Sequence, residues 1–230
     1  AALALPPWDL APLLLPAICG LLWLTEGRDL RGAALGGWSF GTGFFATGLY
    51  WVGEAMLVDA ARHAWLIPFA VGGLAGGLAL FPAAVMAGLQ QLEARGAIRG
   101  AAARLLCFAA LWTLSEWLRG WVFTGFPWHL IGYAWSDFAA PRQVASLAGV
   151  YGLSLATMLG AGVPVLWLVS RRGASLDRAI ALGVVMLVAV GWGWGGLRFA
   201  STKPSNTGPF VRLVQGNIDQ DQKWDPAYRD

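Results

Sequence analysis

Charge is scarce in this chain. Of its 230 residues only 13% are Asp, Glu, Lys or Arg, while 57% are hydrophobic. Soluble domains carry about 25% charged residues, so an ordinary water-soluble core is excluded. Histidine and cysteine are nearly missing too, at two residues each. Such counts support neither a disulfide framework nor a metal site or bound cofactor. Cys19 and Cys107 both lie inside apolar runs with no His beside them. That is the setting of a small buried hydrophobe rather than of a reactive thiolate. No Gly-rich phosphate loop stands in strand–helix context, and no set of nucleophile, base and orienter can be assembled. The first residue is Ala1, with no charged leader behind it. The chain is therefore expected to begin inside or just after an earlier element rather than with a signal peptide.

What fills the chain is a series of apolar runs of spanning length. Mean hydropathy is +0.56. The runs cover Leu10–Leu24, Gly32–Val52, Ala64–Leu92, Ala101–Val122, Val144–Val169 and Leu176–Arg198. They predict an all-α, polytopic transmembrane helix bundle of about six spans over residues 1–200. Asp9 is the expected N-cap of the first run. Gly37 and Gly41 have the small-xxx-small spacing that lets helices approach closely in lipid. Gly72, Gly73, Gly76 and Gly77 repeat that spacing twice and are expected to pack in the same way. The third run is long for one span and is expected to tilt, or to kink at Pro68 or Pro82. Trp192 and Trp194 suit an interfacial belt.

The net charge of +3 is distributed as a topology signal, not as a nucleic-acid surface. Arg28 and Arg31 share one gap between runs. Arg95, Arg99 and Arg104 share the gap two runs later, and Arg171, Arg172 and Arg178 the gap two runs after that. The alternate gaps hold Arg62 or Arg142. By the positive-inside rule the Arg-rich gaps are cytoplasmic. Gaps 53–63 and 123–143, and everything after Arg198, then face the other side. Residues 201–209 read as a polar linker. Residues 210–230 read as the opening of a soluble domain, with a strand expected over Val211–Ile218. A lone strand is unstable, so a following domain is expected.

Few residues could carry chemistry. Trp112, Glu116, Arg119 and Phe123 fall at spacings of four, three and four, on one helix face. Glu116 and Arg119 are ionisable groups at membrane depth, where such groups face the bundle interior and pair. They read either as a structural ion pair or as a site for a phosphate or other polar head group. Thr124–His129 then breaks the helix with Gly125 and Pro127 and offers Phe126 and Trp128. It reads either as a capping turn with interfacial anchors or as a re-entrant loop lining a cavity. Tyr50 and Trp51 end the second run on the same side. They are belt residues, or they join that loop around one cavity. In the tail, Trp224 follows Lys223 in a polar stretch.

The stretch from Trp112 to Trp128, the Gly48–Trp51 stretch and the run from Val214-Gln-Gly-Asn-Ile to Lys223-Trp-Asp together resemble the apolipoprotein N-acyltransferases. The Leu5–Asp9 stretch resembles that family's first interhelical loop, which implies that the family's first helix lies before Ala1. The resemblance implies a membrane bundle carrying a periplasmic nitrilase-like αββα domain in the bacterial inner membrane. It implies a phospholipid acyl donor, phosphatidylethanolamine, and a diacylglyceryl-cysteine lipoprotein as acceptor, with a monomeric enzyme. It also implies that the Glu–Lys–Cys triad lies beyond residue 230, so that no catalytic residue stands in this chain. Trp224, Arg119 and Trp128 match positions beside the active site and at a lipid-entry cavity. Glu116, Gly125, Phe126 and Pro127 fit the same motif. A bundle joined to a polyprenol-phosphate mannose synthase, and a non-enzymatic transporter or scaffold, are the alternatives. The tail argues against the first, and the lack of an inverted repeat against the second.

Overall fold

The computed structural model describes residues 1–169, 175–202, 209 and 211–216. Its main helices are α1 (Leu14–Thr25), α2 (Leu30–Gly48), α3 (Ile67–Leu78), α4 (Leu80–Ala94), α5 (Ala101–Arg119), α6 (Ala145–Val169) and α7 (Ser175–Ser201). Every apolar run of the sequence thus becomes helical. No strand forms among the described residues. Residues 211–216 are without regular structure, and residues 217–230, Trp224 among them, lie outside the described residues.

Among the described residues four stretches are long and apolar enough to cross a membrane: Ala60–Ala94, Ala101–Arg119, Ala145–Trp167 and Ser175–Ser201. The helix Ala11–Thr25 is apolar but shorter. α2 has the length, but its Gly, Ser and Thr residues dilute its hydropathy. Length and apolarity therefore carry four of the six expected spans.

Helix boundaries follow local chemistry. Asp29 caps α2 by accepting from the Gly32 N–H at 2.9 Å. Asp9 does not cap α1, contrary to expectation. It sits at φ 52°, a 3-10 turn over Ala11–Leu13 intervenes, and α1 starts without a side-chain cap. The cause is a chain reversal, in which the Leu10 N–H donates back to Leu3 O at 3.0 Å. The long third run does break, between α3 and α4 at Ala79. Pro82 has no N–H for the Leu78 carbonyl, so the ladder is interrupted there. Pro68 sits harmlessly in the first turn of α3.

Helices α1, α2, α4, α5 and α6 close a ring in that order, α6 returning to α1. α3 flanks α2 and α7 flanks α6. Ile18, Leu22, Phe44, Leu49, Met86, Leu89, Leu105, Phe108, Met158 and Leu166 fill its centre. The outer faces keep large apolar residues exposed, Leu24, Leu35, Leu80 and Leu187 among them, as a lipid-facing surface requires. Gly37 and Gly41 do bring α2 onto α4: a Cβ at either would overlap Pro82 or Ala79. The other glycine stripe behaves differently. Gly72, Gly73 and Gly77 face open space, and only Gly76 meets a neighbour, Trp38, whose indole donates to its carbonyl at 3.0 Å.

One end of the ring gathers the Arg-rich gaps. Arg104 of α5 is buried and pairs with Glu93 of α4 at 3.1 Å. It also donates to Leu22 O and Thr25 Oγ1 at the end of α1, at 3.2 and 3.4 Å. Asp177 of α7 accepts from the Ala102 N–H at 3.3 Å. The gaps at 26–29 and 95–100 and the start of α7 therefore share one end, as the charge pattern predicts. Arg171 and Arg172 lie outside the described residues.

Candidate functional site

At the opposite end α5 stops at Arg119, three residues before the expected limit. Trp112, Glu116 and Arg119 line the inner face of the helix, each only 3% exposed. Phe123 does not continue that face. The chain has already left the helix, and Phe123 is 94% exposed at φ 51°. The reversal is closed by the Phe126 N–H, which donates to Arg119 O at 2.7 Å.

Gly125 makes this turn possible. Its φ is +89°, and a Cβ there would overlap the Gly120 carbonyl. Three non-glycine residues, Phe123, Thr124 and His129, also hold positive φ, a concentration of backbone strain that only tight surroundings sustain.

Those surroundings are polar and buried. The Arg119 guanidinium donates through Nη1 to Phe126 O at 2.9 Å and to Trp128 O, and through Nη2 to His129 O at 3.4 Å. It lies over the Phe45 ring, 5.1 Å from the centroid. The Glu116 carboxylate accepts from the Ile131 N–H at 2.8 Å and from the Trp112 indole at 3.1 Å, both through Oε1. Its Oε2 has no hydrogen-bond partner among the described residues, although the Ser154 hydroxyl lies nearby. The ion pair, one of the two readings of these residues, is therefore not the main contact. Glu116 and Arg119 attract one another, but each directs hydrogen bonds to loop backbone.

The stitching continues past the loop. Over Ile131–Trp135 the chain makes a 3-10 turn against α6. The Gly132 N–H donates to Ser154 Oγ at 2.9 Å, and the Trp135 indole to Thr157 Oγ1 at 2.7 Å. A Cβ on Gly132 would press on Val150 O and on Ser154. The Trp135 ring also meets Trp192 of α7, centroids 4.8 Å apart. Ser154 and Thr157 were missed by the sequence reading. Their trace is two hydroxyls three residues apart within an apolar run.

Residues 48–51 join this loop. The His129 ring fills the space a side chain at Gly48 would occupy and stands edge-on to Phe44 at 6.1 Å. Burial, together with the Arg119 charge, holds the His129 imidazole below its ordinary pKa. Trp51 meets Trp128 at 6.3 Å, and Tyr50 meets Trp8 at 6.2 Å. Tyr50, Trp51, Trp128 and Pro127 are exposed, and Trp121 is 71% exposed beside Trp117. Phe126 packs inward on the core.

The site is therefore a rim of exposed aromatic rings on a buried polar frame. Cavities open elsewhere. One of about 190 Å³ lies by Arg104 and Glu93, and a shallow one of about 360 Å³ lies between Ala1–Leu3 and α2. Among the described residues no cluster could hold a metal ion. Cys19 donates to Ala161 O at 3.3 Å within the bundle.

Known proteins share much of this sequence. A family model described as the apolipoprotein N-acyltransferase N-terminal domain matches residues 1–163. A protein of Caulobacter vibrioides named apolipoprotein N-acyltransferase is 45% identical over 231 residues, covering 98% of this chain and 41% of its own length. Proteins of the same name from Allorhizobium ampelinum and Brucella melitensis are each 38% identical. They cover 99% and 100% of this chain, and 43% and 44% of their own lengths. The chain spans about two fifths of the length of the relatives it matches. By the match across 163 residues and by these relatives, the chain belongs to the apolipoprotein N-acyltransferase N-terminal domain family.

Proposed function

We propose that this chain is the membrane part of an enzyme that moves an acyl chain from phosphatidylethanolamine to the N-terminal amine of diacylglyceryl-cysteine lipoproteins. In that reaction a cysteine thiolate attacks the lipid ester carbonyl, the ester C–O bond breaks, the lysophospholipid leaves as an alkoxide that takes up a proton, and a thioester forms. The lipoprotein amine then attacks the thioester, an amide forms, and the thiolate leaves. The bond-making Glu–Lys–Cys set belongs to a nitrilase-like domain after residue 230. Cys19 and Cys107 are only partly exposed members of helices with no base beside them, which supports placing the nucleophile elsewhere.

The observation that carries the reading is the rim of Tyr50, Trp51, Trp121, Phe123 and Trp128 at the end away from the Arg-rich gaps. With those gaps in the cytoplasm, the rim lies at the outer face of the inner membrane, where α7 delivers the chain to the soluble domain. Exposed aromatic rings with polar edges suit the level of lipid head groups. The rim and Trp224 are the lipid-contacting surfaces in this reading. Buried Arg119 and Glu116, half-buried Phe126 and Gly125, and Pro127 at the surface, shape the rim.

The test is an acyl-transfer assay with phosphatidylethanolamine and a diacylglyceryl peptide. The full-length protein should turn over and the 230-residue chain alone should not. Inactivity of the full-length protein, or turnover by the chain alone, overturns the proposal.

A further inference from the structure

We propose that Glu116 and Arg119 are positioning residues: from adjacent turns of α5 they grip the backbone of residues 126–131 and so fix the Trp128 ring against Trp51.

The geometry assigns them complementary halves of one task. Buried non-helical backbone needs a partner for each polar group. Arg119 takes the acceptors, donating to the carbonyls of Phe126, Trp128 and His129. Glu116 takes a donor, the Ile131 N–H. A guanidinium is the one side chain with enough donors in a fixed fork for three carbonyls of a single turn. Both side chains are 3% exposed, so neither reaches a lipid head group without dismantling the turn. The turn in turn needs them, because Phe123, Thr124 and His129 hold positive φ that relaxed backbone would leave.

The frame decides where the rim points. Trp128 is 56% exposed and its own carbonyl is an Arg119 acceptor. Its indole is therefore aimed by a backbone clamp while remaining open to substrate. Glu116 uses a single oxygen for both of its bonds and leaves the other without a hydrogen-bond partner among the described residues. An amide oxygen can accept the same two bonds, so hydrogen-bond acceptance is what this position supplies to the turn, beside the charge that attracts Arg119.

The experiment uses the full-length protein in lipid nanodiscs, with Glu116→Gln, Glu116→Ala, Arg119→Lys and Arg119→Ala. Hydrogen exchange at the Ile131 amide and acyl-transfer kinetics are both read. Glu116→Ala should raise Ile131 exchange by about tenfold or more, a local opening without global unfolding. Glu116→Gln should restore protection and most of the activity that Glu116→Ala loses. Arg119→Lys keeps the charge but loses the fork, and should fall with Arg119→Ala in kcat. The overturning results are Glu116→Gln as damaging as Glu116→Ala, or Arg119→Ala raising only KM for the phospholipid with exchange unchanged. The proposal rests on the acyl-transfer reading for its kinetic arm alone. If the wild type transfers no acyl chain while the exchange pattern holds, the functional reading fails and the positioning role stands. If transfer is normal and exchange does not respond, the positioning role fails alone.

Discussion

Two buried arginines on one helix, Arg104 and Arg119, are put to different uses at the two ends of this bundle. Arg104 meets Glu93 in an ion pair and reaches the last carbonyls of α1. It ties α1, α4 and α5 together where cationic side chains suit helix C-termini. Arg119 has no acid in hydrogen-bond contact among the described residues. Its partners are carbonyls of a turn that belongs to no helix. The contrast teaches that a charge at membrane depth need not mark a substrate site or a pair. One arginine joins helices, and the other builds irregular backbone that helices cannot provide.

The greatest loss of stability is expected at the Arg104 end. Arg104→Leu leaves Glu93 unpaired and should destabilise the bundle by about 2–3 kcal/mol, a partly exposed version of the cost of orphaning a buried charge. Adding Glu93→Leu should recover most of that loss, because both desolvation costs go together. Thermal melting of the two variants in detergent checks this, and a double variant no better than the single one would refute the pairing account.

A smaller effect sharpens the other end. Gly125→Ala places a Cβ against the Gly120 carbonyl at a positive φ. It should cost about 1–2 kcal/mol and expose the loop to protease. The same change at Gly72, which faces open space, should cost nothing measurable beyond its helix propensity. Equal costs at the two glycines would remove the steric argument.

The smallest effect concerns pH. The folded His129 imidazole has a lowered pKa, whereas an unfolded histidine titrates near 6.5. The neutral ring's contribution is therefore present above about pH 6.5 and lost as pH falls below that value. His129→Gln should flatten that part of the stability profile measured between pH 7.5 and pH 5.5 (roughly spanning the free histidine pKa). An unchanged slope would place the titration elsewhere.

Much of the fold was legible because a membrane span is a long signal. Six apolar runs located the helices, and of the tilt or the kink at Pro68 or Pro82 that the third run allowed, the structure has a break at Ala79, three residues before Pro82. Gly37 and Gly41 announced the close approach of α2 and α4. The glycines at 72–77 carried the same spacing and mean something else, since spacing reports which residues share a face but not what faces them. Asp9 had the chemistry of a cap, but a hydrogen bond from Leu10 to Leu3 turned the chain first. The site was half legible. Glu116 and Arg119 stood out as ionisable residues in an apolar run, read either as an ion pair or as a site for a polar head group. Their actual partners are backbone N–H and C=O groups of residues 126–131, which leave no mark in a sequence because nearly every residue carries them. Phe123 looked like a fourth member of the buried face only because the helix end at Arg119 could not be read to within a turn.

In the proposed acyl transfer the aromatic end, not the Arg-rich end, contacts substrate. The most direct measurement compares the acyl-transfer kcat of full-length Arg119→Ala with that of the Arg104→Leu, Glu93→Leu pair, both first shown to be folded. Arg119→Ala should lose about tenfold to a hundredfold, the scale of a misplaced contact surface, and the pair should keep near wild-type turnover. Equal losses, or a loss confined to the Arg104 pair, would contradict that role of the aromatic end.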